Sequence, residues 1–166
     1  MPHPYRLADA EGWIGHCLEV ANWPCVLQFD EAGVESVGER KACNFAIVAV
    51  NAETGEEEAV GSIGLVMGVD VARRSAELGC WLKQGDWGRG VMGKVVGGFM
   101  GWVWEAFPGL VRVHAEIFAW NESSVGFWRE NGFVFEGRRR RAVLKDGRVR
   151  DLLVHAALRP GWEGEG

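Results

Sequence analysis

Long apolar runs are missing from this sequence. No stretch of about 18 apolar residues occurs, so no membrane-spanning helix is expected. The opening Met1-Pro2-His3-Pro4-Tyr5 has neither a basic flank nor an apolar core and does not read as a signal peptide. Cysteine is sparse: Cys17, Cys25, Cys43 and Cys80 form no C-x-x-C pair and have no histidine cluster nearby. That spacing argues against zinc and against a disulfide scaffold, and it fits reduced thiols in a cytoplasmic protein. His3, His16, His114 and His155 show no ligand spacing, so no metal is assigned and the last two read as strand residues. Tyrosine occurs once, at Tyr5.

What is present describes a single domain over residues 1–166. Hydrophobic residues make up 48% and charged residues 25%, proportions that exclude general disorder. The 24 glycines are roughly twice average usage. The 9 tryptophans are scattered, as core or pocket walls would be. The net charge of −5 hides an asymmetry: residues 1–80 hold 5 basic and 13 acidic side chains, residues 81–166 hold 13 and 10. A cationic ligand would meet the first half and an anionic one the second, unless both faces are merely solvated.

Periodicity places the elements. Leu7, Ala10, Trp13, Ile14, Cys17 and Leu18 recur at helical spacing over 7–20. Residues 30–43 are polar and read as a loop or short helix. Phe45 to Val50 reads as a buried strand, Asn51 to Glu58 as an acidic turn, and Val60 to Val69 as the returning strand. In Ser75 to Leu82, Ala76, Leu78 and Cys80 alternate with Glu77, Gly79 and Trp81, a strand again. A glycine-rich turn over 83–90 precedes an apolar helix from Val91 to Phe107, stopped by Pro108-Gly109. A strand (111–118), a short helix (123–131) with Gly132 at its end, and a hairpin (133–144, 148–158) across Asp146-Gly147 complete the chain. The order predicts an α/β (α+β) fold: a mixed, largely antiparallel sheet with one parallel crossover through the helix at 91–107.

The glycine turn is the informative segment. A strand ends, glycines turn the backbone tightly, and the first N–H groups of a helix point outward with the positive end of its dipole behind them. Such a site binds phosphate. Gly88, Gly90 and Gly93 remove side chains where a pyrophosphate would lie, and Arg89 can add charge; the bland alternative is a loop kept for packing. The same glycines spell G-x-G-x-x-G, but a dinucleotide fold wants an apolar strand running into the first glycine and an acidic residue about 20 positions on. Here Lys83-Gln84-Gly85-Asp86 intervenes and Glu116 stands 28 positions past Gly88, inside a strand. The nicotinamide reading is therefore set aside.

Trp87-Gly88-Arg89-Gly90-Val91-Met92 opens the helix; Asn121-Glu122-Ser123-Ser124 and Asn131-Gly132-Phe133-Val134-Phe135-Glu136-Gly137 follow. Together they resemble the GNAT superfamily of acyl-CoA N-acyltransferases, especially its ribosomal-protein N-terminal acetyltransferase branch. The resemblance covers about 45–158 and, more loosely, the helix at 7–20. It implies acetyl-CoA as acyl donor and a primary amine, on a peptide N-terminus or a small molecule, as acceptor. It also implies that the backbone of Gly88 to Gly93, with Trp87, Arg89, Val91 and Met92, holds the pyrophosphate. The strand Gly79 to Leu82, with Trp81, splays from its neighbour and pairs with the pantetheine arm. Asn121 and Ser124 match the family's N-x-x-S near that arm, though a turn residue and a capping hydroxyl would look the same.

The chemistry needs a base for the amine and an acid for the leaving thiolate. Glu116 stands five residues before Asn121, where ribosomal-protein alanine acetyltransferases look to carry their base. Glu77 is the competing carboxylate, and a water wire could use both. Many members carry a tyrosine acid seven residues after the asparagine; that position is Trp128, expected as a cofactor-binding residue although its indole does not titrate usefully. Ser124 or water would then protonate the thiolate, and a homologue that binds acyl-CoA without efficient transfer is the alternative. Gly85 stands where an Arg or Gln often opens the glycine motif, with Gln84 one place early. Only six residues precede Leu7, so the resemblance implies a sheet without the usual first strand and helix. The exposed edge would invite a partner chain, in the simplest case as a homodimer. Arg138-Arg139-Arg140-Arg141, with Lys145, Arg148 and Arg150, forms a basic hairpin that reads as solvated rather than as a nucleic-acid grip.

Overall fold

A computed structural model describes residues 19, 25–29 and 35–162. The expected helix at 7–20 and the question of a missing first strand lie outside these residues. A two-stranded antiparallel ribbon, β1 (Cys25–Phe29) and β2 (Glu35–Arg40), comes first. The six-stranded sheet is built from β3 (Asn44–Val50), β4 (Glu57–Met67), β5 (Ser75–Leu82), β6 (Arg112–Phe118), β7 (Val134–Lys145) and β8 (Arg148–Leu158), in the order β3-β4-β5-β6-β8-β7. Helix α1 (Val91–Ala106) connects β5 to β6, and α2 (Glu122–Glu130) connects β6 to β7. All neighbours are antiparallel except β5 and β6, which α1 joins as the parallel crossover. The mixed, antiparallel-dominated α/β sheet of the sequence reading is present.

Two expectations are corrected. Residues 35–40 form β2 rather than a loop or short helix; paired with β1, the backbone of a polar stretch finds its hydrogen bonds in a ribbon. β3 is not a buried strand. It is an edge of the six-stranded sheet, and only Ile47 along it is fully buried, while Val48 and Val50 are exposed. Its aromatic residue, Phe45, lies edge-on to Trp102 of α1 at 5.2 Å. The Asp146-Gly147 turn has both residues at positive φ, 51° and 70°, the geometry a two-residue hairpin of this twist requires.

The core lies on one face of the sheet. α1 turns Val96, Phe99, Met100, Val103 and Ala106 inward against Ile63, Leu65, Ala76, Leu78, Val113, Ala115 and Ile117. Trp128 and Phe133 close it from α2 and the turn that follows. The Arg159 guanidinium donates to the carbonyls of Trp104, Phe107 and Leu110 at 2.7–2.9 Å, satisfying the open C-terminal end of α1. Because β5 and β6 spend alternate residues on this core, their other residues stand together on the opposite face.

Candidate active site

β5 and β6 part company. They pair only at Ser75↔Arg112, Ala76↔Val113 and Glu77↔His114. Beyond that point β5 stays with β4 as far as Leu82↔Gly61, and β6 stays with β8 as far as Phe118↔Leu152. A Cβ on Gly61 would lie 2.3 Å from the Trp81 carbonyl oxygen, so glycine there lets β5 crowd β4 as it leaves β6. The result is a wedge at the carboxyl ends of two parallel strands, where α/β sheets place their ligands.

The glycine turn follows the last residue of β5, at the open end of this wedge. Gly88 and Gly90 adopt φ of 70° and 73°, a region costly for any other residue type. Gly90 is the N-cap of α1 and no side chain caps the first turn, so its N–H groups point out unclaimed by side chains. A Cβ placed on Gly79, Gly85, Gly88 or Gly90 would meet no atom within 4 Å, which leaves a smooth backbone track from β5 to α1. Trp87 is exposed and donates its indole N–H to the Leu82 carbonyl at 2.7 Å, tying the turn to the strand end. Arg89 is exposed as well, and its guanidinium is held at 3.0 Å by Asp86. A pyrophosphate with an extended tail fits this track, and the turn supplies donors and no carboxylate beyond the paired Asp86.

The open face beside the wedge is polar. Glu77 of β5 and His114 and Glu116 of β6 bring one ligand atom each within 4.8 Å of one another, all three partly buried. Arg139 of β7 reaches across β8 to form an ion pair with Glu116. Burial pushes the Glu77 carboxyl above its usual range, the Glu116 charge adds to this, and Arg139 works against it. Burial and the nearby Arg112 hold the His114 imidazole below its ordinary value, so it is neutral at pH 7. Both glutamates anticipated from the sequence are thus in one cluster. His114 and Arg139 were not anticipated. The i, i+2 spacing of His114 and Glu116 was a readable signal; the Arg139 contact, between strands that are not neighbours, had none.

Asn121 and Ser124 stand at the start of α2. Asn121 is the cap: its Oδ1 accepts from the Ser124 backbone N–H at 3.1 Å, and the Ser124 side chain is half-buried. Trp128 is 5% exposed and packs against Phe133 at 4.7 Å, within the core. Met92, Val91 and Leu82 are half-buried at the base of the turn. Gly93 lies beside Asn131, whose Oδ1 would be 3.5 Å from a Cβ, so the two glycine-bearing motifs at 88–93 and 131–133 meet in space. A separate open hollow of about 560 Å³ by the β3–β4 turn, lined by Asn51 and Glu56 to Glu58, shares no residue with this site.

The sequence profile of the acetyltransferase (GNAT) domain matches residues 1–134. The chain belongs to the GNAT acetyltransferase family. No curated protein matches it. Solved structures with this GNAT fold include a probable acetyltransferase, 27% identical, covering 63% of this chain and 58% of its own at a TM-score of 0.57. The ribosomal-protein-S5-alanine acetyltransferase of Vibrio fischeri is 21% identical over 74% of this chain and 65% of its own, with a TM-score of 0.61. A spermidine N-acetyltransferase of Vibrio cholerae is 20% identical over 70% and 66%, with a TM-score of 0.59. The chain thus spans under two thirds of the length of these GNAT structures. No described helix is long and apolar enough to cross a membrane.

Proposed function

We propose that this chain transfers an acetyl group from acetyl-CoA to a primary amine. The observation that carries the reading is the β5–β6 wedge running into an uncapped helix start through a turn of glycines. Bound there, acetyl-CoA would supply a thioester carbonyl for the amine to attack, with release of the CoA thiol. The backbone of Gly88 to Gly93 would hold the pyrophosphate, and the unpaired edge of β5 from Gly79 to Leu82 would pair with the extended arm. N–H groups on that edge would stabilise negative charge developing on the carbonyl oxygen. Asn121 and Ser124 would face the end of the arm, the Ser124 hydroxyl giving the thiolate its proton.

The amine arrives as an ammonium and must lose a proton. Glu77 is the base in this reading, because its raised carboxyl is better matched to that task than an ordinary glutamate. Glu116 holds the ammonium beside it and raises Glu77 by its own charge; Arg139 keeps Glu116 in place. Calorimetric titration with acetyl-CoA, against NADH as control, tests the reading. Saturable binding of acetyl-CoA alone is expected, and Gly90→Asp, which sets a charged side chain at a positive-φ turn facing the phosphates, should abolish it. Retained affinity in that variant would mean the turn is not the phosphate site. Binding without thiol release for any amine would favour an acyl-CoA-binding homologue, the reading suited to a core tryptophan where others carry a phenol.

A further inference from the structure

Two of the arginines on the open face already have carboxylate partners: Arg112 pairs with Glu136 and Arg139 with Glu116. Arg150 of β8 differs. Its guanidinium lies 4.9 Å over the Trp120 ring, and Trp120 in turn stacks on Phe118 at 4.5 Å and 20°. Arg150 Nε is buried with no hydrogen-bond partner, and among the described residues no carboxylate pairs with this side chain. A guanidinium placed over a ring face can still use the N–H groups in its own plane to bond a carboxylate.

The sheet register places this fork relative to the amine site. Val154 is opposite Glu116 and Leu152 is opposite Phe118, so Arg150 shares their face of β8 and lies four residues from the Glu116 row. That is roughly 13 Å along the strand. An extended peptide advances about 3.3 Å per residue. With its α-amine at Glu77 and Glu116, its second to fourth side chains would lie within reach of Arg150.

We propose that Arg150, on its Trp120–Phe118 platform, is a specificity-determining residue. It selects an acceptor that carries a carboxylate a few residues from the reacting amine: an acidic peptide N-terminus rather than a polyamine. This rests on the acetyl-transfer reading of the same face. The probes are the peptide amides Ala-Ala-Asp-Glu-Ala-Ala and Ala-Ala-Asn-Gln-Ala-Ala with free N-termini, titrated calorimetrically into the full chain. The acidic peptide should bind about tenfold tighter or better, the scale of one charge-assisted hydrogen bond. Arg150→Gln should bring the ratio near one, and Arg150→Lys should keep part of it. Trp120→Leu, which leaves the charge and removes the platform, should also reduce the ratio, with melting temperatures confirming that each variant folds. Equal binding of both peptides, or a ratio unchanged in Arg150→Gln, overturns the proposal. So does a variant weakened only toward acetyl-CoA, since Arg150 would then grip the cofactor. Peptide binding needs no turnover, so failure of acetyl transfer is read separately, by acetyl-CoA titration and thiol release.

Discussion

At the residue scale, the proposed transfer turns on two carboxylates that must not behave alike. Glu77 and Glu116 share a cluster with a neutral imidazole and one guanidinium. A base must be deprotonated to act, so if Glu77 is the proposed base, its raised carboxyl should shift the acidic limb of the kcat/KM profile upward from that of an ordinary glutamate. Glu116→Gln removes a charge that raises Glu77, and the limb should move to lower pH. Arg139→Met removes the opposing charge and should move it higher. Glu77→Gln should lower turnover by about tenfold or more with acetyl-CoA affinity kept. A pH–rate series on the three variants checks this, and a limb that stays put in Glu116→Gln would take the base away from Glu77. Both glutamates could be found from alternation along single strands. The pairing of Arg139 with Glu116 could not, because it depends on β8 lying between β6 and β7.

At the element scale, α1 is an odd helix. It starts from a left-handed glycine, carries no acid in its first turn and no base in its last, and includes Gly97, Gly98 and Gly101 on its exposed side. A Cβ at any of these three meets no atom within 4 Å. Glycine in a helix interior costs about 0.5–1 kcal/mol relative to alanine. Each of Gly97→Ala, Gly98→Ala and Gly101→Ala should therefore raise the unfolding free energy by about that amount in urea melts, with acetyl-CoA affinity unchanged. A loss of stability would mean another surface packs there. The helix could be read from its apolar spacing and its Pro108-Gly109 stop. The strand β2 could not be read, since Glu35–Arg40 alternates too weakly and takes its conformation from β1.

At the scale of the whole molecule, His155 links the fold to pH. It is 1% exposed on the core side of β8, edge-on to Phe135 at 5.3 Å. Burial, and less so Arg129, hold its imidazole below the ordinary value of 6.5. The unfolded chain then binds the proton first as pH falls, so this contribution to stability is complete above that value and is lost below it. The melting temperature should drop between pH 7.5 and 5.5 by more in the parent chain than in His155→Leu, and equal drops would exclude His155 as a source. Local pattern alone determined most strands, both described helices and the glycine turn, because periods of 2 and 3.6 residues are written into neighbouring positions; the family was legible only through the resemblance of the motifs at 87–92, 121–124 and 131–137. The resemblance already implied that the strand at 79–82 splays from its neighbour, and the pairing of β5 with β6 does stop at Glu77; only the tertiary structure decided that β3 is an exposed edge and that Arg150 lies stacked without a carboxylate partner among the described residues. Those features depend on which distant strands become neighbours and where their pairing stops, and no short window of sequence contains that choice.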